Sequence, residues 1–221
     1  HTINVTLAEQ DRSVNKNGLQ EYGTVTKSAV ATGADLMAYG TFGNSNYLMQ
    51  PYNSDLDFGT TGDFLYSFWV YSDPSANYNS GTYIFERTSV GDPNSRRIEA
   101  RMNTSTSLQV YATSQAFVTN STAITLESNK WNKVDIFRRS GIGEVWVNGK
   151  EKASGAHSGN MSDSTATLTV CNRGYFSPHN QGFPTGISLF RVSGTAPSDI
   201  QILETYNSSP RISKKIKITI E

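Results

Sequence analysis

The segment at residues 172–183 has the composition of a carbohydrate-binding loop. Its candidate ligand-binding residues are Arg173, Tyr175, Phe176, His179 and Asn180. Aromatic rings offer a platform for a sugar ring, and fixed polar groups can orient its hydroxyls. The alternative is structural: Phe176 and Phe183 pin a long loop to the core, and the loop binds nothing.

The other reactive side chains form no recognisable catalytic group. His1, His157 and His179 are scattered in polar segments, with neither a His-Glu-x-x-His motif nor a Ser/His/Asp arrangement. Cys171 is the only cysteine, which excludes an internal disulfide and a cysteine metal cluster. Its apolar neighbours predict a small buried side chain.

Charge and hydropathy exclude two further classes of protein. Nineteen basic and nineteen acidic residues give a formal charge of zero, so no nucleic-acid partner is expected. No apolar run approaches the roughly 20 residues of a membrane-spanning helix, so no membrane insertion is expected. The chain begins at His1 without a signal pattern, which predicts a fragment or a processed product.

The spacing of apolar residues and turns predicts an all-β chain. Asn148-Gly149 lies between two short β-like segments, and both residues readily adopt the positive φ of a type I′ hairpin. Residues 64–70 are apolar on both faces, which is typical of a central strand covered on both sides. Many such strands joined by polar turns predict a two-sheet antiparallel jelly-roll sandwich.

One short helix is predicted near the C terminus, at residues 197–206. Ser198 and Gln201 have the spacing of a capping box, and Ile200, Leu203 and Tyr206 can share a face.

The sequence divides into three parts. Residues 1–35 form an N-terminal extended segment or linker, residues 36–207 the sandwich, and residues 208–221 a C-terminal strand or tail. The alternating isoleucines of the last part predict a strand that joins the sandwich edge or another chain.

The order of these segments resembles the laminin-G-like branch of the concanavalin A-like lectin and glucanase superfamily. The matching pieces within residues 36–207 are Asn46-Tyr47-Leu48, Leu56-Asp57-Phe58-Gly59, Phe64 to Val70, Trp131 to Val134, Val145 to Gly149 and Gly186 to Val192. The resemblance implies a concanavalin A-like jelly roll. One departure is Ser188, where the family usually has an aspartate, and this weakens the transfer of family site residues.

The upstream part resembles a segment of bacteriophage tail fibres and other virion appendages that precedes such a module. The residues that carry this likeness are Asp11-Arg12-Ser13, Gly18-Leu19, Tyr22-Gly23-Thr24, Val30 to Ala34 and Asn46 to Tyr52. The resemblance implies a location in the virion, other virion proteins as partners and a homotrimer.

Enzymes of this superfamily provide a test for catalysis. Those that cut β-glucans carry Glu-x-Asp-x-x-Glu on one strand, which is absent here. Residues 97–101 match the Arg-x-Glu-x-Arg strand of the alginate lyases, but their Gln-x-His strand is missing. We therefore interpret Arg97, Glu99 and Arg101 as the exposed, charged face of a half-buried strand.

Calcium is the metal that the resemblance implies, because related modules often bind it through loop carboxylates. The candidate ligands are Asp55, Asp57 and Asp163, with Asp63 and Asp92 as further turn aspartates. Aspartate in a turn usually accepts a hydrogen bond from its own backbone, so these residues need not bind a metal. We therefore predict that no cofactor is required, with a structural calcium ion as the alternative.

These observations predict a non-enzymatic, tail-fibre-like module that attaches to a glycan on the host surface. One alternative is a structural or assembly module of the virion without a ligand. A second alternative is a polysaccharide lyase or hydrolase on the same fold.

Overall fold

A computed structural model describes residues 18–30, 36–78, 81–92, 94–174 and 181–208. Almost all of the regular structure is antiparallel strand. The elements are β1 (Gln20–Tyr22), β2 (Thr26–Ala29), β3 (Met37–Gly40), β4 (Tyr47–Gln50), β5 (Phe64–Ser72), β6 (Thr82–Thr88), β7 (Ile98–Thr104), β8 (Ser107–Ala112), β9 (Gln115–Ala116), β10 (Ile124–Thr125), β11 (Lys130–Arg139), β12 (Ile142–Val147), β13 (Lys150–Ala156), β14 (Thr167–Val170), β15 (Ile187–Ser193) and α1 (Asp199–Ser208).

The strands form two sheets that pack face to face. The eight-stranded sheet has the order β1-β4-β14-β6-β7-β8-β10, with β9 paired to β8, and the seven-stranded sheet has the order β13-β12-β11-β5-β15-β3-β2. The predicted two-sheet antiparallel sandwich with one short helix near the C terminus is confirmed.

An aromatic core joins the two sheets. Tyr66 on β5 stacks on Phe85 of β6, with ring centroids 4.8 Å apart and planes 6° apart. The rings of Phe68 and Phe190 also pack against Phe85, with centroid distances of 5.9 and 5.6 Å. Because β5 and β6 belong to different sheets, burial of these rings holds the sandwich together.

Strand β5 is covered on both sides, as its sequence predicts. Its second face carries Leu65, which packs with Phe137, Trp146 and the helix residue Ile202. The capping box is confirmed, since the Ser198 and Gln201 side chains accept each other's backbone N–H.

The inner face of α1 differs from the expected one. Ile202 is buried, whereas Ile200 and Leu203 are 68% and 43% exposed, so Ile200, Leu203 and Tyr206 do not form a common buried face.

Among the described residues, no helix has both the length and the apolar character needed to cross a membrane.

The predicted hairpin between β12 and β13 is confirmed. Val147 pairs with Lys150, and the two residues between them, Asn148 and Gly149, have φ of 52° and 73°. Both values are positive, as a type I′ turn requires.

Part of the predicted N-terminal extended segment or linker, residues 1–35, is paired into the sheets. Strands β1 and β2 lie within it, and β1 pairs with β4 while β2 pairs with β3. Each therefore forms the edge of one sheet. The predicted tail strand at residues 208–221 falls, apart from Ser208, outside the described residues.

A buried arginine fixes the loops at one end of the sandwich. The Arg138 guanidinium has no solvent exposure and donates to the carbonyl oxygens of Phe58 (3.0 Å), Gly62 (2.6 Å) and Gly159 (3.0 Å). His157 lies nearby, 8% exposed, with its ring centroid 4.7 Å from that of Phe117.

We expect His157 to weaken the fold in acid. Burial, followed by the charge of Arg138, lowers the pKa of His157 from 6.5 to about 4. Between these values the unfolded chain binds a proton that the folded chain does not, so stability is lost as the pH falls from 6.5 towards 4. Denaturant unfolding at pH 7 and pH 4.5 should show a smaller loss for His157→Leu than for the wild type. An equal loss in both proteins would contradict this role.

Candidate functional site

The structure describes both ends of the predicted binding loop. Arg173 and Gly174 enter it from β14, and Gln181 begins the return. The remaining candidates lie outside the described residues, and their role stays a prediction: Tyr175, Phe176, His179 and Asn180.

Asn172 closes the base of this loop, although the sequence did not single it out. Its side-chain oxygen accepts the backbone N–H of Arg173 (2.8 Å) and of Gln181 (3.2 Å). Its amide nitrogen donates to the carbonyl of Gly43 (2.9 Å), and the residue is fully buried. One asparagine thus holds the entry and the exit of the loop together.

The loop base rests on β6, in the middle of the eight-stranded sheet. The Gly174 N–H donates to Oε2 of Glu86 at 2.7 Å. The Arg173 guanidinium lies 5.4 Å from the ring centroid of Tyr83 and donates to Oε1 of Gln181 at 3.1 Å. The described ends of the predicted loop, Arg173, Gly174 and Gln181, therefore lie against the outer face of this sheet.

A row of polar side chains crosses that face next to Gly174. The strand register sets Thr169 opposite Glu86, Glu86 opposite Glu99, and Glu99 opposite Tyr111. Glu86 and Glu99 are both fully buried. Two carboxyl groups that share a cross-strand pair repel each other when both are ionised.

Two arginines border the carboxyl pair. Nε of Arg96 lies 3.4 Å from Glu86 and 3.6 Å from Glu99, and an Arg101 nitrogen lies 3.6 Å from Glu99. Burial, and then the neighbouring Glu86 carboxyl, raise the pKa of Glu99 to about 7, although both arginines oppose the shift. Glu99 therefore holds a proton in much of the population at neutral pH.

This arrangement corrects the interpretation of residues 97–101. The alternation places Ile98 towards the core and Glu99 on the outer face, as expected, but Glu99 is buried rather than solvated. Burial depends on neighbouring segments, which the pattern of a single strand does not contain. Arg97 pairs with Asp163 at 3.1 Å instead of joining the carboxyl pair.

Beside the carboxyl pair, planar side chains form a partly exposed ladder. Arg101 donates from Nε to Oε1 of Gln109 at 3.1 Å, and its guanidinium lies 4.4 Å from the ring centroid of Tyr111. All three residues are half-buried. Such a surface combines an aromatic face with fixed hydrogen-bonding groups, the combination that orients a polar ligand. The alternation in β7 and β8 predicted this face but not its contacts.

The match to known proteins follows the same architecture. A family model described as "Concanavalin A-like lectin/glucanases superfamily" (Laminin_G_3) matches residues 42–203. The chain belongs to this family. No curated protein sequence gives a significant match.

Solved structures share this laminin-G-like, concanavalin A-like fold. Domain 4 of the arabinanase AbnA from Geobacillus stearothermophilus, solved with arabinotriose, has a TM-score of 0.56 and 17% identity, covering 82% of this chain and 81% of its own. The binding domain of Paraclostridial Mosquitocidal Protein 1 has a TM-score of 0.62 and 18% identity, covering 93% and 51%. The binding domain of botulinum neurotoxin DC, solved with rat synaptotagmin II, has a TM-score of 0.63 and 17% identity. The match covers 90% of this chain and 48% of the toxin domain. The chain thus spans about half the length of these toxin domains.

Two of the predicted calcium ligands, Asp57 and Asp163, lie close together in the laminin-G-like module, but each forms an ion pair with an arginine. Asp57 accepts from Arg87 at 2.6 Å and from the backbone N–H of Asp163 at 2.9 Å. Burial alone would raise the pKa of Asp57, but the Asp163 N–H, Arg87 and the Tyr52 hydroxyl together lower it. Asp55 is exposed, and its N–H donates to Asn53.

These contacts bear on the calcium hypothesis. Within the described ranges, no three His, Cys, Asp or Glu residues form a group that could hold a metal ion. The guanidinium groups of Arg87 and Arg97 already neutralise Asp57 and Asp163, so these donors fit an ion-pair network better than a calcium ion. Calcium binding stays a prediction.

Glu99 gives the candidate site a measurable pH signature. Below about pH 4.5 the Glu99 carboxyl is protonated in both the folded and the unfolded chain. Between pH 4.5 and pH 7 the folded chain keeps this proton, whereas the unfolded chain releases it. Stability is therefore lost as the pH rises through this window, by up to about 1.4 kcal/mol per pH unit. The free energy of unfolding is to be measured by denaturant titration at pH 5 and at pH 8. The value for Glu99→Gln minus the value for the wild type should increase by about 2 kcal/mol from pH 5 to pH 8.

Glu204→Gln is the matched control, because Glu204 is an exposed carboxyl on α1. Its unfolding free energy should follow the wild-type curve. If the curves of Glu99→Gln and wild type ran parallel from pH 5 to pH 8, the proposed protonation of Glu99 would be refuted.

Proposed function

We propose that this chain is a non-enzymatic, carbohydrate-binding module of a bacteriophage virion appendage, similar to a tail fibre, that attaches to a glycan on the host surface. The ligand lies on the outer face of the eight-stranded sheet, beside the loop at residues 172–183. In the virion the module works as a homotrimer with other virion proteins, and it needs no cofactor.

The observation that carries this proposal is the ladder of Arg101, Gln109 and Tyr111. Their planar groups are fixed by contacts with one another, so little side-chain entropy is lost when a ligand binds. Tyr22 and Tyr47 add a second aromatic pair on the same sheet, stacked with centroids 4.7 Å apart. A polysaccharide offers both apolar ring faces and hydroxyls to such a surface.

The carboxyl pair supports binding rather than hydrolysis or elimination. A catalytic acid or base must lie within hydrogen-bond reach of the substrate. Glu86 and Glu99 have no solvent exposure, and the N–H of Gly174 is bonded to Glu86. This burial, and the bond from Gly174 to Glu86, favour a role of the two carboxyls in supporting the loop base.

The biological setting rests on similarity. The family match and the arabinanase domain solved with arabinotriose favour a carbohydrate ligand, and the toxin structures are binding domains. The virion setting, the host glycan and the trimer are supported by the likeness of the upstream segment to phage appendage proteins.

Binding to purified host capsule and lipopolysaccharide on a glycan array tests the proposal. Tyr111→Ala should weaken binding about tenfold or more, because an aromatic contact is removed from the centre of the surface. Tyr175→Ala and His179→Ala should weaken it as well if the loop contributes. EDTA should leave binding unchanged.

Lys152→Ala is the control, since Lys152 is exposed on β13 in the other sheet. Silence across host polysaccharides would favour the structural, ligand-free alternative. Release of new reducing or unsaturated ends from the capsule, abolished by Glu99→Gln, would establish an enzyme and contradict the proposal.

A further inference from the structure

A cleft lies on the other sheet from the proposed glycan surface, between the outer face of the seven-stranded sheet and α1. Its volume is about 210 Å³. Leu65, Trp69, Leu189 and Ile202 form its apolar walls, and the hydroxyls of Ser67 and Thr205 also line it. No part of the proposed glycan surface on β7 and β8 contributes to this cleft.

A buried ion pair forms the floor of the cleft. Nζ of Lys133 lies 2.6 Å from Oδ1 of Asp135, and the two residues are only 4% and 2% exposed. Removing such a pair from water is unfavourable, and a well-packed apolar pair of similar volume is often at least as stable. Stability alone therefore does not account for a charged pair at this position.

The floor also has unused hydrogen-bonding capacity. An ammonium group has three donors, and the two hydrogen bonds that Lys133 Nζ makes within the described residues both go to Asp135. One ammonium hydrogen of Lys133 can therefore be donated to a ligand.

A β-bulge shapes the mouth of the cleft. Register between β15 and β5 shifts between Ser188 and Arg191, and Leu189 has a φ of 50°, unusual for a residue with a branched side chain. Bulges redirect side chains and are frequent beside binding sites. Arg191 lines the cleft after this bulge and is exposed.

The charges of the lining favour an anion. Register places Arg191 opposite Ser67, and Ser67 opposite Asp135, so the three lie in one row across the sheet. Lys133 and Asp135 neutralise each other, which leaves Arg191 as the excess charge of the lining. Within the part of the chain that the structure describes, Arg191 forms no ion pair.

We propose that this cleft is a second ligand site, which binds a small hydroxylated carboxylate such as a hexuronate. Arg191 pairs with the carboxylate, while Lys133, Asp135 and Ser67 hydrogen-bond the hydroxyls. The apolar walls cover one face of the ring. The site is independent of the proposed glycan surface, because the two lie on different sheets.

A titration followed by the indole N–H signals of 15N-labelled protein tests this site, with D-glucuronate as the probe. Trp69 lines the cleft, so its signal should shift and saturate with a Kd of about 1 mM. Arg191→Gln should weaken binding about tenfold or more, since a charge-assisted hydrogen bond is lost. Lys152→Gln removes an exposed positive charge that does not line the cleft, and this variant should bind like the wild type.

Two further measurements separate binding from folding. The thermal midpoint of Arg191→Gln should match the wild type because this side chain is exposed. The double variant Lys133→Met/Asp135→Leu should fold with comparable stability and lose the glucuronate response.

Three results would overturn the proposal: an unchanged Trp69 signal, equal affinity in wild type and Arg191→Gln, or an equal shift with the neutral methyl glucoside. None of them would affect binding of host polysaccharide to the eight-stranded sheet. Failure of one site is therefore distinguishable from failure of the other.

Discussion

Two carboxyl groups without solvent contact, those of Glu86 and Glu99, constrain the arrangement of the outer face of the eight-stranded sheet. They occupy directly opposed positions on neighbouring strands, where two ionised carboxylates would repel each other. The protein meets this constraint with two bordering arginines, a backbone N–H from Gly174 and a raised pKa of Glu99. Each of these groups comes from a different position in the chain.

The constraint links the scaffold to the surface that we propose for binding. Arg101 lies near Glu99 on one side and is packed against Tyr111 and Gln109 on the other, so the buried charge and the exposed ladder share one side chain. The backbone N–H of Gly174, at the entry of the predicted loop, donates to Glu86 of the same carboxyl pair. Aromatic packing between β5 and β6 supports this assembly from the core.

Features that depend on neighbouring residues in the chain could be predicted from the sequence. The Asn148-Gly149 hairpin and the Ser198-Gln201 capping box are local, because their conformations follow from the residues that form them. The two-sided apolar pattern of β5 likewise predicted a covered central strand. The family could also be recognised, because its signature is an order of local segments.

Features that depend on contacts between distant segments could not be predicted. Alternation predicts Glu99 on the outer face, but it does not predict that Glu99 is buried opposite Glu86 of β6. Residue type alone predicts Asp57 and Asp163 as metal ligands, yet Arg87 on β6 and Arg97, which immediately precedes β7, pair with them. The bulge between Ser188 and Arg191, beside the cleft under α1, contains no glycine that could have signalled it.

Amide hydrogen exchange with and without host polysaccharide tests the central claim most directly, because it reports where the ligand lies without any substitution. Our account predicts slower exchange at residues 98–112, which form β7 and β8, and unchanged exchange at residues 133–147. Binding of the polysaccharide without protection at residues 98–112 would contradict the assignment of this sheet face as the ligand surface.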